Sequence, residues 1–357
     1  MKSIESCRVP GQTRFRGRHL KIESGKVRIW FMLVPSVLFL LFAGGVFGSG
    51  ADDSKSLARQ IFDVMIGEQG VKAGYRAIHA KGIVCKGMYA PTGDAGNLSR
   101  AAHFQADSVP VTVRFSDGAA DPTIPDGSPD AQPRGMGIEF TLPTGETTYI
   151  VAISHNGFIV GTGEEFLALQ KALVVTDRSK PHPWPLETFF ESHPRALKFV
   201  EDPKPTPESL ATEGFYGNNS FLFVDAEGKK RAGRYFIVPL AGQHYLGDAA
   251  AKSQPANFLM DELRARLKKG PVKFEIWVQL AEPGDPTDDG SVLWPESRKR
   301  VDMGLISITA VVPDSAEAEK DLLFDPAQLT DGIELSDDPL PALRSEVYML
   351  SFMYRNP

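Results

Sequence analysis

The stretch that decides the fold of this chain is its last twenty residues, "DPLPALRSEVYMLSFMYRNP", residues 338–357. Pro339 is typical of the start of a helix, where the missing backbone N–H leaves no hydrogen bond unmade. An α-helix turns about 100° per residue, so steps of four and eleven residues rotate by about 40° and 20°. Arg344, Tyr348 and Arg355 are therefore predicted to lie on one face of a C-terminal helix.

This helix face suggests a particular chemistry. A phenol with an ordinary pKa of about 10 ionises at neutral pH only with help from a nearby positive charge. Arg344 lies one predicted turn before Tyr348, and a tyrosinate is a known axial ligand of haem iron. Arg355 would hold a haem propionate through charge-assisted hydrogen bonds. A plain packing role explains any one of these residues equally well, so the face alone does not settle the cofactor.

A longer segment carries a family resemblance. "LLFDPAQLTDGIELSDDPLPALRSEVY", residues 322–348, resembles the proximal haem segment of haem catalases. In that family Phe-Asp-Pro and Gly-Ile-Glu stretches lead into an Arg-x-x-x-Tyr motif, and the same elements stand here in the same order. The resemblance implies that Tyr348 is the axial iron ligand, that Arg344 supports it and that Arg355 binds a propionate.

Two earlier segments resemble the distal side of the same family. "YRAIHAKG", residues 75–82, is similar to the family's Arg-x-x-His-Ala-Lys-Gly motif. It implies that Arg76 binds a propionate and that His79 is the distal acid–base catalyst. "VTVRFS" resembles the next motif, which implies a third propionate contact at Arg114 and a hydroxyl at Ser116 that orients the distal imidazole.

Further segments extend the resemblance over most of the chain. "PRGMGIEF" and "EGFYGNNSFLFVDAEGK" also resemble family motifs, so the likeness runs in order from about Phe62 to Pro357. Local patterns alone predict about eight short strands without regular βαβ alternation, and hence an antiparallel sheet or barrel with appended helices. The resemblance implies an α+β fold, a catalase-like antiparallel eight-stranded β-barrel with appended helices, lacking the C-terminal helical domain of full catalases.

The chain departs from full catalases at several positions. If Phe166 aligns with the family's distal-pocket phenylalanine, Ile153 falls where full catalases have an asparagine that handles peroxide. Asn156 would substitute only with a different loop, and Gln132 replaces a channel aspartate. These departures point to the short catalase-related peroxidases. The expected enzyme carries haem b and reduces hydrogen peroxide or organic peroxides with an external electron donor, with weak catalase activity at most.

Three other readings stay open at this point. The chain could be a true catalase, a haem enzyme that converts fatty-acid hydroperoxides, or a non-enzymatic barrel that binds haem or another hydrophobic ligand. A binding barrel has no need of a base such as His79 facing a tyrosine ligand, which weighs against the last reading. The expected partners are a peroxide and a small organic reductant, and the sequence also allows a homodimer.

Composition limits the class of protein. The chain has 357 residues and a formal net charge of −6, which argues against a nucleic-acid partner because such domains are basic. Its 42% hydrophobic and 24% charged residues are ordinary for a globular protein. We divide it into residues 1–50, a basic N-terminal segment plus a signal peptide or membrane anchor, and residues 51–357, the catalase-like haem-binding domain.

The N-terminal segment predicts export. Basic residues precede an uncharged apolar run from Ile29 to Phe47, as in a signal peptide, and Val46 with Gly48 forms an acceptable cleavage pair. The run is also just long enough, at roughly 20 residues, for one transmembrane helix. Both readings place the globular part outside the cytoplasm, in the periplasm or anchored to the membrane.

Overall fold

A computed structural model describes residues 55–68 and 71–357. The strands are β1 (Gly82–Pro91), β2 (Val109–Ser116), β3 (Gly135–Thr141), β4 (Thr147–Ile153), β5 (Phe215–Val224), β6 (Lys230–Pro239), β7 (Val272–Leu280), β8 (Arg300–Val311) and β9 (Ile333–Leu335). The helices are α1 (Leu57–Glu68), α2 (Gly93–Leu98), α3 (Ala102–Gln105), α4 (Gly163–Val175), α5 (Pro185–Ser192), α6 (Pro194–Glu201), α7 (Asp248–Lys252), α8 (Phe258–Leu267), α9 (Ser315–Asp321) and α10 (Leu340–Arg355).

The first eight strands form an antiparallel barrel. They lie side by side in the order β4-β3-β2-β1-β8-β7-β6-β5, and pairing of Ile153 with Tyr216 joins β4 to β5 and closes the ring. The short strand β9 adds to β5. The predicted eight-stranded barrel with appended helices is confirmed, and a turn at residues 225–229 connects β5 to β6.

Alternation along the strands sorts side chains between the two faces of the barrel wall. In β2, Val111, Val113 and Phe115 are buried in the main hydrophobic core, while the residues between them point to the opposite face. Arg114 and Ser116 lie on that outer face, yet they are buried, with only 4% and 3% of their surface exposed. Another part of the protein must therefore cover this stretch of wall.

A second hydrophobic cluster lies among the helices. Ile61, Phe62 and Met65 of α1 are buried together with Leu167 of α4 and Val347 of α10. Helix α1 thus packs against both α4 and α10, at the helical spacing of its apolar residues. This packing holds α10, the predicted carrier of the haem ligand, among the helices appended to the barrel.

One sequence expectation is wrong in detail, and another lies outside the described residues. The sequence of residues 185–202 looks helical throughout, but the structure has two helices there, α5 and α6, which meet at His193. Pro194 causes the break, because proline has no N–H to donate and disfavours helical backbone in the residue before it. The predicted N-terminal segment, residues 1–50, lies outside the described residues, and no helix within the described ranges is long and apolar enough to cross a membrane.

Candidate active site

Glycines shape the outer wall beside Arg114 and Ser116. On the neighbouring strand β3, Gly135 lies opposite Ser116 and Gly137 lies opposite Arg114. A Cβ atom on Gly135 would come within 2.9 Å of the His79 ring, and one on Gly137 within 2.8 Å of the Phe324 ring. Any larger residue at either position would push these rings away, so the glycines let both rings lie against the wall.

The His79 imidazole has defined hydrogen-bond partners. Its Nδ1 lies 2.9 Å from the backbone carbonyl oxygen of Asp117 and 3.1 Å from Ser116 Oγ. A carbonyl oxygen only accepts hydrogen bonds, so Nδ1 carries the proton and Nε2 keeps a free lone pair. The structure thus places Ser116 where the resemblance implied, and leaves Nε2 available as a base.

Electrostatics keep the imidazole neutral. Burial lowers the pKa of His79 to about 4, and the positive charge of Arg114 acts in the same direction. Arg344 and Arg76 add smaller contributions of the same sign, while the hydrogen bond to Asp117 opposes them. At neutral pH, the His79 imidazole is therefore neutral, and its Nε2 can accept a proton.

The three arginines predicted to bind propionates come together near α9. Arg76 and Arg355 both donate hydrogen bonds of 2.6 Å to the Leu322 carbonyl oxygen, and Arg114 forms a 2.9 Å ion pair with Glu319. Burial and the repulsion between neighbouring arginines together lower the pKa of Arg76, and they lower the pKa of Arg355 to about 10.

The arginine cluster has hydrogen-bonding capacity left over. Among the described residues, the Nε atoms of Arg76, Arg114 and Arg355 are buried without a hydrogen-bond partner. Buried donors are rarely left unpaired in a native protein, and Glu319 supplies one negative charge for three positive ones. The cluster therefore suits further carboxylates, as a haem with two propionates would provide.

Helix α10 presents Tyr348 within a hydrogen-bonded chain. Arg344 donates from one terminal nitrogen to the Tyr348 oxygen at 2.8 Å and from the other to Asn219 Oδ1 at 2.5 Å. The Asn219 amide then donates to Asp338 Oδ2 at 2.8 Å. The Tyr348 oxygen is an acceptor in this chain, as the oxygen of a ligating phenolate must be.

Sequence reasoning missed Asn219 and Asp338. Asn219 lies in β5, far from α10 in the chain, and only the fold brings the two elements together. A local signal did exist for Asp338, because its carboxylate accepts the backbone N–H of Leu340 at 2.9 Å and caps the start of α10. Burial raises the pKa of Asp338, and the Asn219 amide partly compensates this unfavourable burial.

The distal and proximal segments are directly connected. The backbone N–H of Ala77, two residues before His79, donates to Ser351 Oγ on α10 at 3.2 Å. Arg76 also lies over the Phe324 ring, 5.8 Å from its centre. His79 and Phe324 both adopt a left-handed backbone, with φ of 57°. Such conformations in non-glycine residues often mark functional sites, where the surroundings hold the strain.

The other residues singled out in the sequence lie at different distances from His79. Ile153 lies directly opposite Gly135 in the β3–β4 pair, so its side chain is on the His79 side of the wall. Phe166, in α4, stacks on Phe158 with ring centres 6.0 Å apart. Asn156 instead lines a separate pocket of about 270 Å³, together with Gln132. No described contact brings Asn156 to His79.

These features fit a haem. The unpaired arginine donors suit its propionates, the Tyr348 oxygen suits its iron, and the His79 imidazole provides a base. Haem with a tyrosine ligand is an established form of iron ligation. Contacts and charge interactions link the sequence-predicted residues of this region, namely His79, Ser116, Arg76, Arg114, Arg344, Tyr348 and Arg355. Phe166 instead packs against two hydrophobic clusters among the helices.

Comparisons with known proteins agree with this geometry. The family model described as Catalase matches residues 69–356. The catalase-related peroxidase of Mycolicibacterium paratuberculosis is 38% identical over 299 residues, covering 83% of this chain and 94% of that protein. The catalase-related peroxidase of Synechococcus elongatus is 32% identical over 331 residues, covering 91% of this chain and 97% of that protein.

Solved structures show the same fold. A fungal catalase crystal structure superimposes with a TM-score of 0.70 and 19% identity. The match covers 80% of this chain and 59% of the fungal one. A bacterial catalase gives a TM-score of 0.69 with 21% identity, covering 95% of this chain and 68% of the other. The chain therefore spans about three fifths to two thirds of these catalases.

Proposed function

The chain belongs to the catalase family, and from this premise we propose that it is a haem peroxidase that reduces peroxides with an external electron donor. The observation that carries the proposal is the neutral His79 imidazole, held by Asp117 and Ser116 with Nε2 free. The two catalase-related peroxidases, which are 38% and 32% identical to this chain and match it over nearly their whole length, support the same activity.

The protein residues would divide the reaction between them. Haem, when bound, supplies the iron that cleaves the peroxide bond and passes on electrons. His79 Nε2 accepts the proton of the hydroperoxide and returns it to the departing oxygen. One peroxide then consumes two protons and two electrons and yields water together with a second water or an alcohol. The electrons come from a small organic reductant.

The remaining site residues would bind and orient. Arg76, Arg114 and Arg355 would hold the propionates through charge-assisted hydrogen bonds. Tyr348 would ligate the iron through an oxygen that already accepts a hydrogen bond from Arg344. We propose haem b as the specific cofactor, and a pyridine haemochrome spectrum of the purified protein would identify the haem type.

The neighbourhood of His79 favours a peroxidase over a true catalase. Dismutation requires a second peroxide to be bound and oxidised beside the base. The wall residue opposite Gly135 is the apolar Ile153, which offers a peroxide no hydrogen bond. Asn156 lies in another pocket and does not replace the missing amide. We therefore expect oxygen evolution to be weak.

The test uses purified haem-loaded protein. Hydrogen peroxide or cumene hydroperoxide with an aromatic reductant should be turned over, with little oxygen released when the reductant is omitted. His79→Ala should keep its haem and lose turnover, while His182→Ala, a control at a histidine with 63% of its side chain exposed, should behave as wild type. Vigorous oxygen release without a reductant would contradict the peroxidase assignment.

Export remains part of the proposal. We propose that residues 1–50 direct the catalase-like domain out of the cytoplasm, since basic residues precede the uncharged run from Ile29 to Phe47, as in a signal peptide. Cell fractionation with an antibody against the domain would test this, and N-terminal sequencing of the mature protein would distinguish a cleaved signal from a retained anchor.

A further inference from the structure

A buried ion cluster lies behind His79 and takes no part in the chemistry proposed above. It consists of Arg134, Asp117 and Asp126, which are 0%, 1% and 0% exposed, together with Lys81. Placing four charges out of water is expensive, and hydrophobic residues of similar size often stabilise a fold as well. The cluster is therefore better explained by a structural task near the site than by stability alone.

The charges of the cluster are matched one to one. Arg134 donates hydrogen bonds to the Asp117 carboxylate and to the Asp126 backbone oxygen. Lys81 Nζ lies 3.0 Å from Asp117 Oδ2 and also contacts the Asp126 carboxylate. Burial raises the pKa of Asp117, and the positive charge of Arg134 opposes the rise. Both cations thus contact the Asp117 carboxylate, whereas of the two cations only Lys81 contacts the Asp126 carboxylate.

The cluster connects to His79 through two adjoining backbone segments. The Asp117 N–H donates to the Lys81 carbonyl oxygen at 3.0 Å, and the Ala80 N–H donates to the Ala119 carbonyl oxygen at 2.9 Å. The Asp117 carbonyl in turn receives the His79 Nδ1–H at 2.9 Å. Lys81 and Asp117, which form the ion pair, are therefore also joined by a backbone hydrogen bond, next to the carbonyl that holds the imidazole.

His79 needs such support. Its φ of 57° is unusual for a residue other than glycine, and a conformation of this kind costs about 1–3 kcal/mol unless the surroundings enforce it. The carbonyl that accepts the His79 hydrogen bond belongs to the backbone, so it would be present with any side chain at position 117. The position of that carbonyl, however, depends on what anchors the segment, and here the anchor is a carboxylate clamped by Arg134 and Lys81.

We propose that Asp117 is a positioning residue for the catalytic base: its carboxylate, held by Arg134 and Lys81, fixes the backbone carbonyl that sets the tautomer and orientation of His79. The inference rests on the proposed role of His79. It differs from a purely electrostatic role, in which either acid of the cluster would serve. Asp126 is the comparison, because its carboxylate contacts Lys81 and its backbone oxygen accepts from Arg134, while it lies outside the segment that touches His79.

The experiment measures cyanide binding to the ferric, haem-loaded protein. Hydrogen cyanide must give up a proton as it binds, so its association rate reports the distal base without requiring turnover or an electron donor. Stopped-flow Soret changes at pH 7, expressed per bound haem, would be compared for wild type, His79→Ala, Asp117→Asn and Asp126→Asn. Arg134→Lys is a second, milder variant that keeps the charge and shortens the reach to Asp117.

We expect Asp117→Asn to slow cyanide association by ~10–100-fold, approaching His79→Ala, because a small displacement of a reacting group has effects of this size. Arg134→Lys should fall in between. Asp126→Asn should slow association clearly less than Asp117→Asn, because the Asp126 carboxylate contacts Lys81 but lies outside the segment whose carbonyl oxygen holds His79. A merely structural Asp117 would lower haem content or thermal stability and leave the rate per haem unchanged.

Three results would overturn the proposal. The first is a wild-type rate per haem in Asp117→Asn when His79→Ala is slow, which would refute the positioning role and leave the proposed function intact. The second is equal slowing in Asp117→Asn and Asp126→Asn, which would show that charge rather than position matters. The third is a wild-type rate in His79→Ala, which would refute the assignment of the base and the inference built on it.

Discussion

The backbone N–H of Ala77 donates a hydrogen bond to Ser351 Oγ across 274 positions of the chain. Ala77 lies two residues before His79, and Ser351 lies three residues after Tyr348. This contact joins the segment that carries the distal base to the helix that carries the predicted iron ligand. The spacing between base and ligand therefore depends in part on one serine hydroxyl.

Replacing Ser351 by alanine should loosen the site. Both Ala77 and Ser351 are largely buried, so the variant leaves an N–H without a partner, at a cost of about 1–3 kcal/mol. We expect a lower melting temperature and faster loss of haem to an acceptor protein. Ser253→Ala, which removes a hydroxyl bond at an exposed helix end, is the control. Haem retention equal to that of the control would argue against this link.

Removing the Tyr348 hydroxyl should change the iron environment. In Tyr348→Phe the ring keeps its place on α10, while the oxygen that accepts the Arg344 hydrogen bond is lost. We expect lower haem content and a different Soret spectrum in the haem that remains. Tyr354→Phe, at a 41% exposed position on the same helix, should match wild type. An unaltered spectrum in Tyr348→Phe would exclude this residue as the ligand.

The rate of the reaction with peroxide should decrease only at low pH. The pKa of His79 is lowered to about 4, and the imidazole can act as a base only in its neutral form. The second-order rate of the ferric protein with peroxide should therefore be flat around neutrality and fall as pH decreases through about 4. Stopped-flow pH jumps would measure it, and His79→Gln should abolish the acid limb. A limb centred near pH 6.5 would indicate an unperturbed histidine.

Glu213 should make the fold less stable as pH rises. Burial raises its pKa from 4.5 to about 7, so the folded state binds this proton more tightly than the unfolded state. The stability that this proton provides is complete below about pH 4.5 and is lost as pH rises towards about 7. Glu213→Gln keeps an oxygen for the hydrogen bonds from Tyr245 and Gly214 and carries no charge.

Thermal unfolding across the pH range would measure this effect. Glu213→Gln and wild type should have similar stability near pH 4, and the variant should be more stable at pH 8, by on the order of 3 kcal/mol. The exposed Glu208 provides the control, since Glu208→Gln should leave the pH dependence unchanged. A pH 8 stability no higher in Glu213→Gln than in wild type would show that the Glu213 charge is accommodated in the folded protein.

Local periodicity in the sequence was sufficient for several parts of the site. The helical period places Arg344 next to Tyr348, and the structure shows them in contact at 2.8 Å. The strand period of β2 places Arg114 and Ser116 together on the face opposite the core. These relations follow from backbone geometry within one element, so a short stretch of sequence contains all the information they need.

Contacts between distant elements depended on the tertiary structure. Asn219 joins Arg344 to Asp338, and the Asp117 carbonyl holds His79, although no local pattern marks either role. No local pattern marks the position of Asn156 in a separate pocket either. The sequence by itself determined the barrel, the helices and most of the residues that carry chemistry, because their patterns are local or resemble family motifs. Only the tertiary structure decided which groups hold those residues in place, because their hydrogen bonds and ion pairs form between elements that meet only when the barrel closes.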